Sequence, residues 1–273
     1  MEPNFTPPPI APPPFAPPPP PSTWDRIKKY LGPIGVVLFL GFKYIAKLKF
    51  LLPFLKTGGT MVLSMGAYAM FWGWQYAVGF VLLIFVHECG HLIAARRMGL
   101  KVGAPVFIPF MGAFIALKDA PRNAWVEAEV GIGGPLLGSI GAAVCELIYM
   151  ATGNQLFRAL AYSGFFLNLF NLAPVGFLDG GRIVTALSPW LWIVGFAIMV
   201  VLTVTQFNFI LLLILIMSLP RLFSLFRAKT DEEKRYFEVT PQQRWMVAIT
   251  YFGLIAFLVF GMKLSYIPHD ALR

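Results

Sequence analysis

The feature that most constrains this chain of 273 residues is an uncharged apolar segment, Val78–Val86, that leads directly into an H-E-x-x-H motif at residues 87–91. On an α-helix, residues four positions apart lie on one face, so His87 and His91 can both reach one Zn²⁺ ion at about 2.0–2.1 Å. Glu88 lies beside this pair, where it can take a proton from an attacking water. At ~1.5 Å per residue the apolar segment covers about 13 Å of a hydrocarbon layer roughly 30 Å thick. The pattern therefore predicts a hydrolytic metal site below a membrane surface.

The composition supports a membrane protein that crosses the bilayer several times. The chain is 58% hydrophobic and 13% charged, whereas soluble domains average about 25% charged residues. The net charge of +9 comes from Lys and Arg clusters between apolar segments, which is a topology signal and argues against a nucleic acid partner. If the spans alternate from a cytoplasmic N-terminus, all Lys and Arg except Arg158, Lys263 and Arg273 lie on the cytoplasmic side. We therefore expect an integral, multi-pass protein with a cytoplasmic N-terminus.

The predicted fold class is an all-α polytopic membrane protein with about six or seven transmembrane helices. We also expect a short surface helix at Pro121–Val130, directly before the third span. The Trp72-Gly73-Trp74 sequence predicts a tight turn at the interface between the first two spans. The predicted spans are Gly58–Phe71, Tyr76–Met98, Gly131–Thr152, Leu156–Ala173, Trp190–Val204, Phe209–Leu219 and Trp245–Met262.

The apolar segment Gly103–Leu117 does not fit a helix, because Pro105, Pro109 and Gly112 interrupt it. It is rich in strand-forming residues, so we predict a short re-entrant β-hairpin near the active site; a plain membrane-dipping loop is the alternative. Irregular backbone at membrane depth is tolerated where it lines a cavity. The edge of such a hairpin could pair with an unwound substrate by strand addition. The candidate substrate-binding residues are Gly112, Ala113 and Phe114.

Composition also predicts how the chain is divided. The proline-rich start is expected to be an extended, disordered tail, and residues 7–21 could alternatively bind a partner that recognises proline motifs. The segment that follows is basic and apolar, as in an amphipathic helix lying on an anionic membrane, with a tilted span as the alternative. No signal peptide is expected. The predicted divisions are the tail 1–23, the interfacial segment 24–57, the core 58–189 and additional transmembrane helices in 190–273 with a charged cytoplasmic loop at 220–244.

A catalytic zinc ion normally takes three protein ligands, so a third one is needed beside the two histidines. The remaining histidine, His269, is predicted on the opposite side of the membrane and is interpreted as a surface residue. Asp179 follows a segment that Pro174 and several glycines unwind. A carboxylate in such apolar surroundings needs a partner, and zinc is the obvious candidate.

The chain carries three motifs in this order: His-Glu-Cys-Gly-His in a membrane helix, G-G-P-L-L-G at Gly133–Gly138 and N-L-A-P-V-G-F-L-D-G-G at Asn171–Gly181. With these motifs it resembles the site-2 protease family of intramembrane zinc metalloproteases. The resemblance covers roughly Gly58 to Pro189. The gap between Met98 and Gly131 is too short for a PDZ domain, and no C-terminal regulatory CBS domain is expected.

The resemblance implies that Asp179 is the third ligand of a single catalytic Zn²⁺ and that Asn171 lines the active site. The Asn171 amide could then help zinc to stabilise the developing oxyanion, with Glu88 as the catalytic base. The implied activity is that of a zinc metalloendopeptidase in regulated intramembrane proteolysis. Its substrate would be a membrane protein with a single transmembrane span, and the expected location is a bacterial plasma membrane.

Two other classes of protein fit part of the sequence. A membrane zinc protease that trims prenylated C-termini would use a different motif for the third ligand, so the L-D-G-G sequence argues against it. A metal transporter or an inactive scaffold could bind an ion through the histidines but would not need Glu88 beside them.

Overall fold

The computed structural model describes residues 56–206, 208–227 and 230–266, and these form a mainly helical bundle with one small β-hairpin. The predictions for the tail 1–23, the proline motifs at 7–21, nearly all of the segment 24–57 and His269 lie outside these residues. The elements in chain order are α1 (56–72), α2 (Trp74–Arg97), β1 (Val102–Ile108), β2 (Gly112–Leu117), α3 (Ala124–Thr152), α4 (Gln155–Asn171), α5 (Asp179–Leu187), α6 (Leu191–Thr205), α7 (Phe209–Phe223), α8 (Asp231–Tyr236) and α9 (Pro241–Ser265).

Three of these helices, α2, α3 and α9, are long and apolar enough to cross a membrane. The helices α6 and α7 are apolar but shorter. The mainly helical architecture with several membrane-grade helices is thus confirmed, whereas the count of six or seven spans stays a prediction. Gly73 separates α1 from α2: its φ is +78°, a backbone angle that interrupts the helix and that glycine adopts without steric cost.

Helix α3 differs from the sequence prediction, which separated a surface helix at Pro121–Val130 from a span that begins at Gly131. The structure has one continuous helix, and its first turn is capped by the Asn123 side chain, which accepts a hydrogen bond from the Val126 amide. Glycine is a poor helix former, yet Gly131, Gly133 and Gly134 lie inside this helix. Their absent side chains instead let α2 approach closely: a Cβ added to Gly133 would lie 2.6 Å from the Gly90 carbonyl oxygen. Tertiary packing therefore outweighs local propensity here.

The predicted β-hairpin is present, with β1 and β2 antiparallel and Ile108 opposite Gly112. Its turn contains Phe110, whose φ of +63° is unusual for a bulky side chain. The Phe110 amide donates a hydrogen bond to the Tyr68 hydroxyl at 3.1 Å, so the turn is fastened to α1.

The largest group of buried apolar side chains lies between α3, α4, α5 and α9, and it includes Phe165, Ile183 and Leu258. Residues 172–178 between α4 and α5 are not helical, as the proline and glycines there predicted. This segment carries the chain from the end of α4 to Asp179 at the start of α5. The bundle thereby brings the Asp179 side chain at the start of α5 to the histidines of α2.

Candidate metal centre

His87, His91 and Asp179 form a compact, buried group of potential metal ligands. Helix α2 presents the two histidines one turn apart, and their Nε2 atoms are 3.0 Å from each other. The Asp179 carboxylate reaches both rings, with Oδ2 at 3.2 Å from His87 Nε2 and Oδ1 at 3.2 Å from His91 Nε2. Tetrahedral ligands at 2.0–2.1 Å from an ion would be about 3.3 Å apart. The three side chains therefore fit a single metal ion.

Each histidine is oriented through its second ring nitrogen. His87 Nδ1 lies 2.8 Å from the Asn168 side-chain oxygen, and the Asn168 amide nitrogen donates to the Gly164 carbonyl at 2.7 Å. His91 Nδ1 lies 2.8 Å from the Val130 carbonyl oxygen. Because both partners are acceptors, each Nδ1 carries the proton and each Nε2 keeps its lone pair for a metal.

Glu88 is buried next to the histidines and lines the same cavity. Within the three described ranges, no hydrogen bond engages its carboxylate. Arg182, one residue after the D-G-G sequence, also lines the cavity and acts electrostatically on Glu88. A carboxylate that is buried but has no hydrogen-bond partner is available to exchange a proton with a molecule in the cavity.

The three potential ligands line a cavity of about 560 Å³, whose walls are mainly apolar. Phe166 and Phe170 of α4 and Leu213 of α7 contribute to the apolar part. The structure brings every predicted site residue to this one cavity, and the roles assigned to them stay predictions. The predicted residues on its wall are His87, Glu88, His91, Gly112, Ala113, Phe114, Asn171 and Asp179.

The two edges of the hairpin differ. Helix α1 covers β1, since the Thr57 hydroxyl donates to the Pro105 carbonyl at 2.7 Å and the Phe107 amide donates to the Thr60 hydroxyl at 3.1 Å. Strand β2 lines the cavity, and among the residues that the structure describes it has no strand partner besides β1. An extended peptide in the cavity could therefore add to the β2 edge.

Sequence reasoning missed Asn168 and Gly134. Asn168 is 1% exposed and lies in the apolar stretch Phe165–Phe170, and the need of a buried amide for a partner could have indicated its role. A Cβ built on Gly134 would overlap Nε2 of His91, so only glycine leaves room for that ring. The G-G-P-L-L-G motif was noted for the resemblance, but its contact with a metal ligand depends on how α2 and α3 cross.

Residues 75–162 match the sequence model of the family described as Peptidase family M50. The chain is 30% identical over 125 residues to zinc metalloprotease MJ0392 of Methanocaldococcus jannaschii, and this alignment covers 44% of this chain and 35% of that protein. It is 31% identical over 124 residues to putative zinc metalloprotease Rip3 of Mycobacterium tuberculosis, covering 42% and 30% of the two chains. It is 26% identical over 153 residues to probable zinc metalloprotease EGY2, chloroplastic, of Arabidopsis thaliana, covering 40% and 27%. The chain thus spans about a third or less of the length of these relatives.

Replacing Gly134 by alanine should weaken metal binding, because the new Cβ displaces the His91 ring. We expect the affinity for Zn²⁺ to fall by about 10-fold or more, the scale seen when the support of a ligand is lost. Competition with a chromophoric chelator measures the affinity. The matched control is Gly253→Ala in α9, where a Cβ meets nothing within 4 Å. Equal affinity in both variants would contradict the inferred close approach.

Replacing Asn168 by alanine should weaken metal binding as well, because the His87 ring loses the acceptor that holds its Nδ1 proton. The expected loss of Zn²⁺ affinity is about 10–100-fold, measured by the same competition. Ser163→Ala is the control, since it removes another α4 contact to α2, the 2.6 Å hydrogen bond with the Tyr76 hydroxyl. If both variants lost affinity equally, Asn168 would act through helix packing and not through His87.

Proposed function

We propose that this chain, whose residues 75–162 match the model of peptidase family M50, is an intramembrane zinc metalloendopeptidase of the site-2 protease type. It hydrolyses peptide bonds within or near transmembrane helices of other membrane proteins, as in regulated intramembrane proteolysis. The observation that carries the proposal is the buried group of His87, His91 and Asp179. These three side chains and Glu88 line one mainly apolar cavity. The single cofactor is Zn²⁺, held by these three side chains.

Zinc bound in such a site polarises a carbonyl group and makes water a nucleophile near neutral pH. The residues of the chain supply the remaining steps. Glu88 accepts the proton of the attacking water and returns it to the leaving amine, which is general base and then general acid catalysis. Asn171, on the cavity wall, donates its side-chain amide to the oxyanion that develops on the substrate.

The cavity suits an extended apolar peptide. A transmembrane helix hides its carbonyl groups in hydrogen bonds, so the substrate must unwind before a peptide bond can be attacked. The β2 edge at Gly112, Ala113 and Phe114 then holds the unwound segment by backbone hydrogen bonds, while phenylalanine rings such as Phe166 and Phe170 contact its side chains. The proposed substrate is a membrane protein with a single transmembrane span, and nucleic acid is not a partner.

The proposed topology has six or seven spans, with α1, α4, α6 and α7 added to the three long helices. The N-terminus lies in the cytoplasm, in line with the distribution of Lys and Arg, and the proposed location is a bacterial plasma membrane. The core is residues 58–189, followed by additional helices in 190–273 with the charged loop 220–244. The tail 1–23 precedes the interfacial segment 24–57, and its motifs at 7–21 would bind a partner that recognises proline.

Replacing Glu88 by glutamine should abolish cleavage while bound zinc is retained, because the amide keeps the shape of the side chain but cannot accept a proton. Loss of a general base typically costs about 10²–10⁴ in rate. The assay is cleavage of single-span membrane proteins by the full chain in proteoliposomes, with zinc content measured in parallel. Cys89→Ala, on the same helix and outside the proposed machinery, is the control.

Two outcomes would count against this role of Glu88. Cleavage retained by Glu88→Gln would remove it as the base. Metal flux that is unaffected by the substitution, with no proteolysis by the unsubstituted protein, would favour the transporter alternative.

Replacing Asp179 by alanine should remove zinc together with activity, since it leaves the ion with two histidine ligands. Metal analysis of the purified variant and a cleavage assay test this. The control is Asp231→Ala, because Asp231 is an exposed carboxylate that pairs with Lys234 at 2.9 Å. A fully active Asp179→Ala variant with its full zinc content would reject Asp179 as a ligand.

A further inference from the structure

The backbone on both sides of Asp179 accepts hydrogen bonds from side chains of the helices that follow α5. The Tyr251 hydroxyl of α9 donates to the Leu172 carbonyl at 2.6 Å. The indole of Trp192 in α6 donates to the Gly181 carbonyl at 2.9 Å. Arg221 of α7 donates from Nη1 to the Gly176 carbonyl at 3.2 Å. All three donors lie beyond residues 75–162, the part of the chain that matches the family.

Arg221 contacts the chain on both sides of Asp179. In addition to its bond to Gly176, its Nη2 donates to the Thr185 hydroxyl at 2.8 Å, and that hydroxyl donates to the Gly181 carbonyl at 3.0 Å. The guanidinium also stacks over the ring of Trp192, 4.6 Å from the ring centroid. One planar group therefore links the turn before Asp179 to the first turns of α5 after it.

The guanidinium also pairs with a carboxylate of α3. Its Nη2 pairs with Glu127 Oε1 at 2.6 Å, and the other carboxylate oxygen accepts a hydrogen bond from the Tyr236 hydroxyl at 2.7 Å. Burial, reinforced by the neighbouring Glu127 charge, raises the pKa of Tyr236 above its ordinary value, so the phenol keeps the proton that it donates. Glu127 thus accepts hydrogen bonds from two elements, and its contact with Arg221 is separate from those that Arg221 makes with Gly176 and Thr185.

The turn at Gly176 lies directly against α7. Its φ is +43°, and a Cβ at this position would overlap Ser218, which is one helical turn before Arg221. This close approach lets the arginine side chain reach the Gly176 carbonyl. The path from α7 to Asp179 is therefore a short series of direct contacts.

We propose that Arg221 is a positioning residue for the metal centre: its guanidinium holds the Gly176–Gly181 backbone so that the Asp179 carboxylate points at His87 and His91. The inference rests on the proposed function only in taking these three side chains as the zinc ligands. The competing interpretation is an ion pair that joins α7 to α3 through Glu127 and stabilises the fold alone. The two differ in whether metal binding depends on the contacts with Gly176 and Thr185.

The test measures the Zn²⁺ affinity of the full chain in detergent by competition with a chelator, and the ligand-field spectrum of the Co²⁺-loaded protein. Arg221→Met should lower the affinity by about 10–100-fold, as for other residues that support metal ligands, and should change the Co²⁺ spectrum. Arg221→Lys keeps the charge, but its single ammonium group cannot reproduce the planar fork that reaches Gly176 and Thr185 together. Arg221→Lys should therefore also lower the affinity for Zn²⁺. If Arg221→Met does not fold, the comparison is made with Arg221→Lys alone.

Three control variants separate positioning from stability. Glu127→Gln removes the charge of the ion pair but leaves an acceptor for Arg221, and Tyr236→Phe removes the bond behind Glu127. Arg227→Met removes a surface pair with Glu233, where the arginine side chain is 72% exposed. We expect all three to keep the unsubstituted affinity for Zn²⁺ and the Co²⁺ spectrum, even where the melting temperature falls.

The proposal is overturned if both Arg221 variants keep the affinity and the spectrum of the unsubstituted chain. It is also overturned if Glu127→Gln lowers the affinity as much as Arg221→Met, because loss of the ion pair alone would then explain the weaker metal binding. Failure of the unsubstituted chain to bind Zn²⁺ is a different result, which contradicts the proposed function and not the role of Arg221.

Discussion

The structure depends on burying two imidazoles and a carboxylate among apolar helices. Moving an ionised group out of water costs several kcal/mol even after the surroundings relax, unless it is paired. Here each polar atom meets a partner: Asn168 and the Val130 carbonyl take the Nδ1 protons, and the Nε2 atoms face the Asp179 carboxylate. The helices that supply these partners, α3 and α4, must pack against α2 closely, so the demands of the site set the geometry of the bundle.

That close packing explains where the glycines occur. Gly134 leaves space for the His91 ring, and Gly138 does the same for the Asn168 side chain, since a Cβ at either position would overlap its neighbour. Small residues let membrane helices approach one another, but here the approach also brings polar groups within hydrogen-bonding distance of the ligands. Gly134 and Gly138 thus serve both the packing of the helices and the arrangement of the candidate metal ligands.

The two histidine ligands could be predicted from the sequence because their geometry is local: residues four apart share a helical face whatever the rest of the chain does. The hairpin could be predicted because prolines and Gly112 exclude a helix over Gly103–Leu117. The pairing of Asn168 with His87 could not, since it joins residues 81 apart and depends on how two helices cross. The division of α3 into a surface helix and a span was wrong, and its continuity also depends on tertiary contacts, since its glycines pack closely against α2.

The distribution of the site along the chain suggests what the later helices contribute. The family match ends at residue 162, yet Asp179 and the donors to its backbone follow that point. A helix such as α2 orients its own side chains through a continuous series of backbone hydrogen bonds, whereas the non-helical segment before Asp179 has only isolated turn hydrogen bonds, such as that from the Leu178 amide to the Val175 carbonyl. Its Leu172 and Gly176 carbonyls accept hydrogen bonds from Tyr251 of α9 and Arg221 of α7. The Gly181 carbonyl, just after Asp179, accepts one from Trp192 of α6. The helices after α5 therefore complete the metal centre without providing a ligand, because they determine the path of the backbone that does.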